Sequence, residues 1–202
     1  MIDGRTATAI LQAKLCSYER ENSLKAKGMH LCASGVIYSR ARRQIWSVGD
    51  CQYMINGKVY SKIKRVDGLL SEVRTFLIHC LLQEGKKEDD LMQHDIAREL
   101  ILNILKKQHF MENADDKYGY SVFSGEGKLL NVDIVDVLPG SEIVLASDGY
   151  PILKETLEKS EEKLQELIRT DPLCYKEYSS TKGLVQGNIS FDDRSYLRFL
   201  TD

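Results

Sequence analysis

Proline is scarce, with three in 202 residues, and no stretch stays apolar for the roughly 20 residues that a bilayer-spanning helix needs. With 43% hydrophobic and 29% charged residues, that scarcity excludes extended disorder and predicts a folded chain. The five cysteines, Cys16, Cys32, Cys51, Cys80 and Cys174, include no pair at the spacing of a zinc knuckle or redox motif, so they read as reduced thiols. Excess positive charge is also absent. The net charge is -2 and the isoelectric point about 6.1, which leaves no long-range field to hold nucleic acid or an anionic membrane. The N-terminal MIDGRTATAI lacks the basic-then-apolar layout of a signal peptide, so the expected compartment is the cytoplasm.

What is present has the size of one domain over residues 1–202. Good helix formers fill residues 7–27, where Ile10, Leu11, Leu15 and Tyr18 fall near a 3.6-residue spacing and predict a helix. Between 31 and 64 the short runs CASGVIYS, RQIWSVGD, CQYMI and KVYSKIK, rich in β-branched and aromatic residues, predict strands paired as hairpins. Asn56-Gly57 predicts a tight turn between two of them, because both residues take positive φ readily. Helical spacing returns from 67 to about 111 through Leu69, Val73, Phe76, Leu77 and Cys80, then Ile96, Leu100 and Ile104. Gly85 and a charge run divide it into two predicted helices. YGYSVFS, LLNVDIVDVL and SEIVLASD predict further strands, 154–169 a helix with i,i+4 charge pairs, and 194–200 a closing strand. Without regular βαβα alternation, these elements predict an α+β layering of mainly antiparallel sheet against helices.

Three aspartates stand where an apolar strand meets a turn: Asp50 in Val48-Gly49-Asp50, Asp148 in Ala146-Ser147-Asp148-Gly149, and Asp192 in Phe191-Asp192-Asp193. Each alone is explained by the liking of Asp for turns. Together they could offer the oxygen ligands that hard cations such as Mg²⁺ and Mn²⁺ prefer.

Their order carries a resemblance. ASGVIYSRARRQIWSVGDCQ resembles the hairpin of the PPM (2C-like) metal-dependent protein phosphatases, whose second strand ends Gly-Asp-Ser, with Cys51 here in place of the serine. EIVLASDGYP resembles the family's strand ending Leu-Ala-Ser-Asp-Gly, and NISFDDRSYLRF its closing Asp-Asn or Asp-Asp-Ile-Thr strand. The resemblance implies a sandwich of two antiparallel sheets flanked by helices, lacking its first strands. It further implies hydrolysis of phosphoserine or phosphothreonine in phosphoproteins by metal-activated water, with Mg²⁺ or Mn²⁺ as cofactor. Asp148 and Asp192 would then be ligands of a two-metal core and Asp50 would serve a third, weaker site.

The chain departs from the family at its start. The strands bearing a phosphate-binding arginine and a Glu-Asp pair have no counterpart, and Asp3-Gly4 is the candidate for the Asp-Gly that bridges both metals, without the usual His-Gly-Gly continuation. Residues 1–27 could equally be the second helix of the family's two-helix excursion, in which case Asp3 is no ligand. Arg5, Arg40, Arg42 and Arg43 could approach a site electrostatically, although a solvated basic turn explains 40–43 as well. His30, His79, His94 and His109 show no ligand spacing, with His79 expected to pack on an apolar helix face. Trp46, Tyr38, Tyr120 and Phe123 read as core. Cys51 is a poor nucleophile beside the Asp50 carboxylate. Two functions stay open: a phosphatase, or a catalytically inactive phosphatase-like binding or regulatory module. Sheet edges left open by absent strands would favour a homodimer.

Overall fold

The computed structural model describes residues 2–127 and 131–202. They gather in two compact units, one of Met1–Lys62, Met111–Ser147 and Tyr196–Asp202, the other of Ile63–Phe110 and Asp148–Ser195.

The first unit opens with α1 (Gly4–Glu21), whose first turn is capped by Asp3 accepting from the Thr6 amide at 2.8 Å, and a 3₁₀ turn follows at Lys25–Lys27. Five strands follow: β1 (Cys32–Ala33), β2 (Gly35–Ser39), β3 (Gln44–Val48), β4 (Gln52–Ile55) and β5 (Lys58–Tyr60). The unit is completed by β6 (Phe123–Ser124), β7 (Asp133–Asp136), β8 (Glu142–Ala146) and β9 (Tyr196–Leu200). The predicted run at 129–138 contains β7, and its residues 129 and 130 lie outside the described residues. Asn56 and Gly57 turn β4 into β5 with φ of 49° and 81°, as the dipeptide predicts.

Among the described residues the nine strands pair antiparallel, in sheets of order β2-β3-β7 and β5-β4-β8-β9 with a small β1-β6 pair. Alternate residues of the two larger sheets meet in a core of Ile45, Tyr53, Val137, Ile143 and Leu145, against which Val36, Tyr38 and Phe199 pack. Each aliphatic side chain fully buried there contributes about 1.5–3 kcal/mol. Trp46 is buried as expected, against the first turn of α1, where a Cβ on Gly4 would come within 2.8 Å of the indole.

The apolar spacing of α1 misidentifies its buried side. Ile10, Leu11 and Tyr18 are exposed, whereas Thr8, Gln12 and Glu19 are buried. The reason is long-range hydrogen bonding: the Gln12 amide donates to the Ser124 carbonyl at 2.7 Å and accepts from its N–H at 2.9 Å. The helix thereby caps the end of β6 as another strand would, and a polar face is buried without loss.

The second unit is mostly helical: α2 (Arg65–Gln83), α3 (Glu88–Gln93), α4 (Ile96–Leu105) and α5 (Leu157–Thr170). The charge run expected to separate two helices forms one of its own, because Glu88, Asp89 and Asp90 occupy the first turn of α3, where the helix dipole favours them. Helices α2 and α4 run antiparallel, with Leu70 and Val66 meeting Ile101 and Leu105 at one end and Ile78 meeting Ala97 towards the other. Again the buried side is not the predicted one. Leu69, Val73 and Phe76 of α2 and Leu100 and Ile104 of α4 are exposed. His79 is exposed as well, its ring edge-on to Tyr175 at 5.3 Å.

Arg74 is fully buried in this unit. Its guanidinium holds Asp95 through Nε at 3.0 Å and Nη2 at 2.6 Å, and Nη1 donates to the carbonyls of Leu173, Cys174 and Ser180. A buried charge so fully paired is a structural tie between α2 and the 173–180 loop. Asp171, also fully buried, accepts from the backbone N–H groups of Tyr175, Lys176, Glu177 and Tyr178.

Candidate metal centre

In the first unit the strand register aligns Gln52, Ala146 and Tyr196 in one row across β4, β8 and β9. Asp50 precedes that row by two residues, Asp148 follows it by two and Asp192 precedes it by four.

Within the second unit the Asp148 and Asp192 motifs lie against each other. Gly149 is buried so closely upon the other segment that a Cβ there would meet the Asp193 carbonyl at 2.1 Å and Arg194 Cβ at 2.9 Å. Only a residue without a side chain permits this approach. One carboxylate on α5 fastens both segments: Glu161 accepts from the Tyr150 hydroxyl at 2.6 Å and from Arg194 Nε and Nη2 at 2.7 and 2.8 Å. The Arg194 guanidinium holds the Glu161 carboxyl below the usual carboxylate range, and the Tyr150 hydroxyl adds to this. Burial, then Glu161, pushes Tyr150 up to about 12.

Asp148, Asp192 and Asp193 are exposed. Asp192 is ion-paired with Lys182 and its other oxygen accepts from the Asp193 N–H at 3.0 Å. Arg98, whose Nη1 donates to the Thr181 carbonyl at 2.6 Å, stands close enough to feel the Asp192 charge. Burial lowers its pKa and the attraction of Asp95, with a smaller one from Asp192, opposes that shift. Asp148 and Asp67 both act on the Tyr178 hydroxyl, whose pKa is raised first by burial and then by Cys174 and these carboxylates.

The remaining expected ligands lie in the first unit. Asp50 accepts from the Ser34 hydroxyl at 2.5 Å, beneath Gly49, whose φ of 88° and contact with Ser34 leave no room for a side chain. Asp3 caps α1, and the Gly4 carbonyl accepts from Thr8 Oγ1 at 2.7 Å. Arg40 pairs with Asp202 and Arg42 donates to the Ile2 carbonyl at 2.6 Å, so these arginines stabilise the β2-β3 turn. His30 lies beside two buried carboxylates, 2.7 Å from Glu112 and 3.8 Å from Glu19.

Among the described residues, no three of His, Cys, Asp and Glu stand together as an ion cage. Mg²⁺ does not require one, since it is commonly held by one or two carboxylates, its own waters and substrate phosphate oxygens. Asp148 and Asp192, on segments that lie against each other, offer oxygens of that kind, Asp192 on condition that Lys182 leaves it. Sequence reasoning missed Lys182, Arg98 and Glu161, which no local spacing connects to the acidic motifs. Arg194, adjacent to Asp193, was the one such residue in plain view.

No known family profile matches the chain, and no curated protein matches it. Among solved structures, the chain is similar to the catalytic domain of serine threonine protein phosphatase PstP in complex with two manganese ions, at 12% identity and a TM-score of 0.35. The match covers 82% of this chain and 56% of that one. No helix among the described residues is long and apolar enough to cross a membrane.

Proposed function

We propose that residues 1–202 act as one metal-dependent phosphatase domain hydrolysing phosphoserine or phosphothreonine in phosphoproteins. The observation that supports this best is the apposition of the Asp148-Gly149 turn and the Asp192-Asp193 loop, the two motifs that the family resemblance pairs as metal ligands. Asp148 and Asp192 would hold Mg²⁺ or Mn²⁺, and Asp50, beside the Ser34 hydroxyl, a third and weaker ion. Asp3 and Gly4 are the remaining ligands of the proposal, which would require the Gly4 carbonyl to share its bond with Thr8. The ions would neutralise the phosphate dianion and lower the pKa of the attacking water. The protein's own part is to hold the carboxylates: Glu161 fixes the backbone on both sides, while Lys182 balances Asp192 when no ion is present. Arg98 supplies positive charge beside the same loop for an anionic substrate.

The test is hydrolysis of p-nitrophenyl phosphate and of a phosphothreonine peptide with Mn²⁺ or Mg²⁺, beside Asp148→Asn and a chelated control. Turnover that vanishes in both controls is the expected result. No turnover with either ion, or turnover that survives Asp148→Asn, would overturn the proposal.

A further inference from the structure

Between Lys182 and Asp192, the ion-paired residues of the candidate site, the chain makes a short excursion whose two feet are pressed down. Gly183 lies so close to the backbone beneath it that a Cβ would meet Leu173 Cα at 2.9 Å, and the Leu184 N–H donates to the Pro172 carbonyl at 2.7 Å. At the other foot Ser190 and Phe191 are buried. Residues 185–189 between them are all exposed. The Asn188 N–H donates to the Val185 carbonyl at 3.0 Å and Gly187 takes a φ of 89°, a tight turn that folds Ile189 back beside Val185. Turns are ordinarily polar, and this one carries two aliphatic side chains. Ile189, 79% exposed, is the most exposed large apolar residue among the described residues, and Val185 is 57% exposed. Single exposed aliphatics are ordinary on a surface, but these two are brought together on one turn. Gln186 and Asn188, exposed beside them, carry amides that both donate and accept.

We infer that this turn holds the peptide chain of the substrate and selects phosphopeptides with an aliphatic residue two or three positions from the phosphorylated one. The inference rests on the proposed function for the place of the phosphate. Position supports it. Val185 is three residues from Lys182 and Ile189 three from Asp192, a reach of at most about 11 Å. An extended peptide advances about 3.3 Å per residue, so side chains two or three positions from a phosphate held at the Asp192 ion arrive within that reach. Such a segment also brings backbone N–H and C=O groups to which the amides of Gln186 and Asn188 can bond. Size points the same way: the two residues expose on the order of 200 Å², far below the roughly 1,200 Å² of a stable contact between two proteins, and enough to cover one or two peptide side chains.

Peptides with a non-hydrolysable phosphonate in place of phosphothreonine test this by fluorescence anisotropy with Mn²⁺ present, one with leucine at the flanking positions and one with serine. The expected result is about 5-fold tighter binding of the leucine peptide by the wild-type chain, and equal binding of the two peptides by the double variant Val185→Ser, Ile189→Ser. Both residues are exposed, and an unchanged circular dichroism spectrum verifies that variant's fold. Equal wild-type affinity for the two peptides, or a preference that survives in the folded variant, would overturn the inference, as would binding of neither peptide. So would a wild-type dimer in sedimentation that the variant dissolves, which would assign the turn to a contact between copies. These readings are separate from turnover. A leucine preference without hydrolysis of p-nitrophenyl phosphate leaves the docking turn standing and sinks the proposed activity, and hydrolysis without a preference does the reverse.

Discussion

Arg194 grips both carboxylate oxygens of Glu161, at 2.7 and 2.8 Å, while the Tyr150 hydroxyl shares one of them. Tyr150 and Arg194 each follow a candidate metal ligand by two residues, so one carboxylate on α5, 11 residues from Tyr150 and 33 from Arg194, ties the two segments together. Glu161→Ala should cost about 1–2 kcal/mol of stability through the lost charge-assisted bonds. It should also weaken Mn²⁺ binding, which Glu161→Gln restores in part. Urea denaturation and calorimetric titration measure the two effects separately; Mn²⁺ affinity unchanged in Glu161→Ala would mean the clamp does not position the ligands.

If Asp192 holds an ion as proposed, Lys182, its ion-pair partner, is the group that the ion would displace. Lys182→Met removes that competition and should tighten Mn²⁺ binding about 2- to 5-fold, the range of a half-exposed ion pair. Asp192→Asn should abolish the gain. Calorimetry on the single and double variants forms the cycle, and weaker binding in Lys182→Met would show that the lysine supports the site instead of guarding it.

The pH dependence has a definite sign on each side. Tyr150 keeps its proton in the folded chain up to about 12, whereas in the unfolded chain it titrates near 10.0. Its contribution is therefore complete below pH 10 and disappears as the pH rises towards 12. Glu161 is shifted in the opposite direction, below 4.5, so its contribution is present above 4.5 and is lost as pH falls through the depressed folded value. Cys174, also pushed up to about 12 by burial, adds to the alkaline loss, so the difference between wild type and Tyr150→Phe isolates the tyrosine. Urea midpoints from pH 9 to 12 should decline less in Tyr150→Phe; parallel curves would count against the assignment.

Two glycines should respond oppositely to the same substitution. Gly149→Ala drives a methyl group into the Asp193 carbonyl and should cost about 2–3 kcal/mol, since backbone cannot move aside cheaply. Gly68, inside α2 with nothing within 4 Å of its would-be Cβ, should gain about 0.4–1 kcal/mol on becoming alanine. Thermal melts of the two variants compare them directly, and a tolerated Gly149→Ala would remove the close approach on which the candidate site depends.

Where chain-local physics decides, the sequence was legible. The Asn56-Gly57 turn, the β2-β3 hairpin, the strand β8 and the aspartates at strand ends follow from turn chemistry and alternation. The faces of α1 and α2 were not legible, because each buries polar groups whose partners are remote, whereas α4 buries the apolar Ala97, Ile101 and Leu105, each one residue on from the expected Ile96, Leu100 and Ile104. Gln12 is satisfied by Ser124, 112 residues away, and Arg74 by Leu173, 99 residues away. A periodicity count assigns such residues to water and their apolar neighbours to the core, the reverse of what occurs. The site divides the same way: its carboxylates are visible as motifs, but Lys182, Arg98 and Glu161 reach them only through the tertiary fold.

Asp171 gathers the amides of four successive residues from Tyr175 to Tyr178, in a stretch with no helix or strand of its own. The order of that stretch therefore depends on a single buried anion, and its amides have no independent way of opening. In hydrogen exchange these four protons would behave as one cooperative unit, slow like the core and released together. An irregular loop can thus share the lifetime of the helices around it.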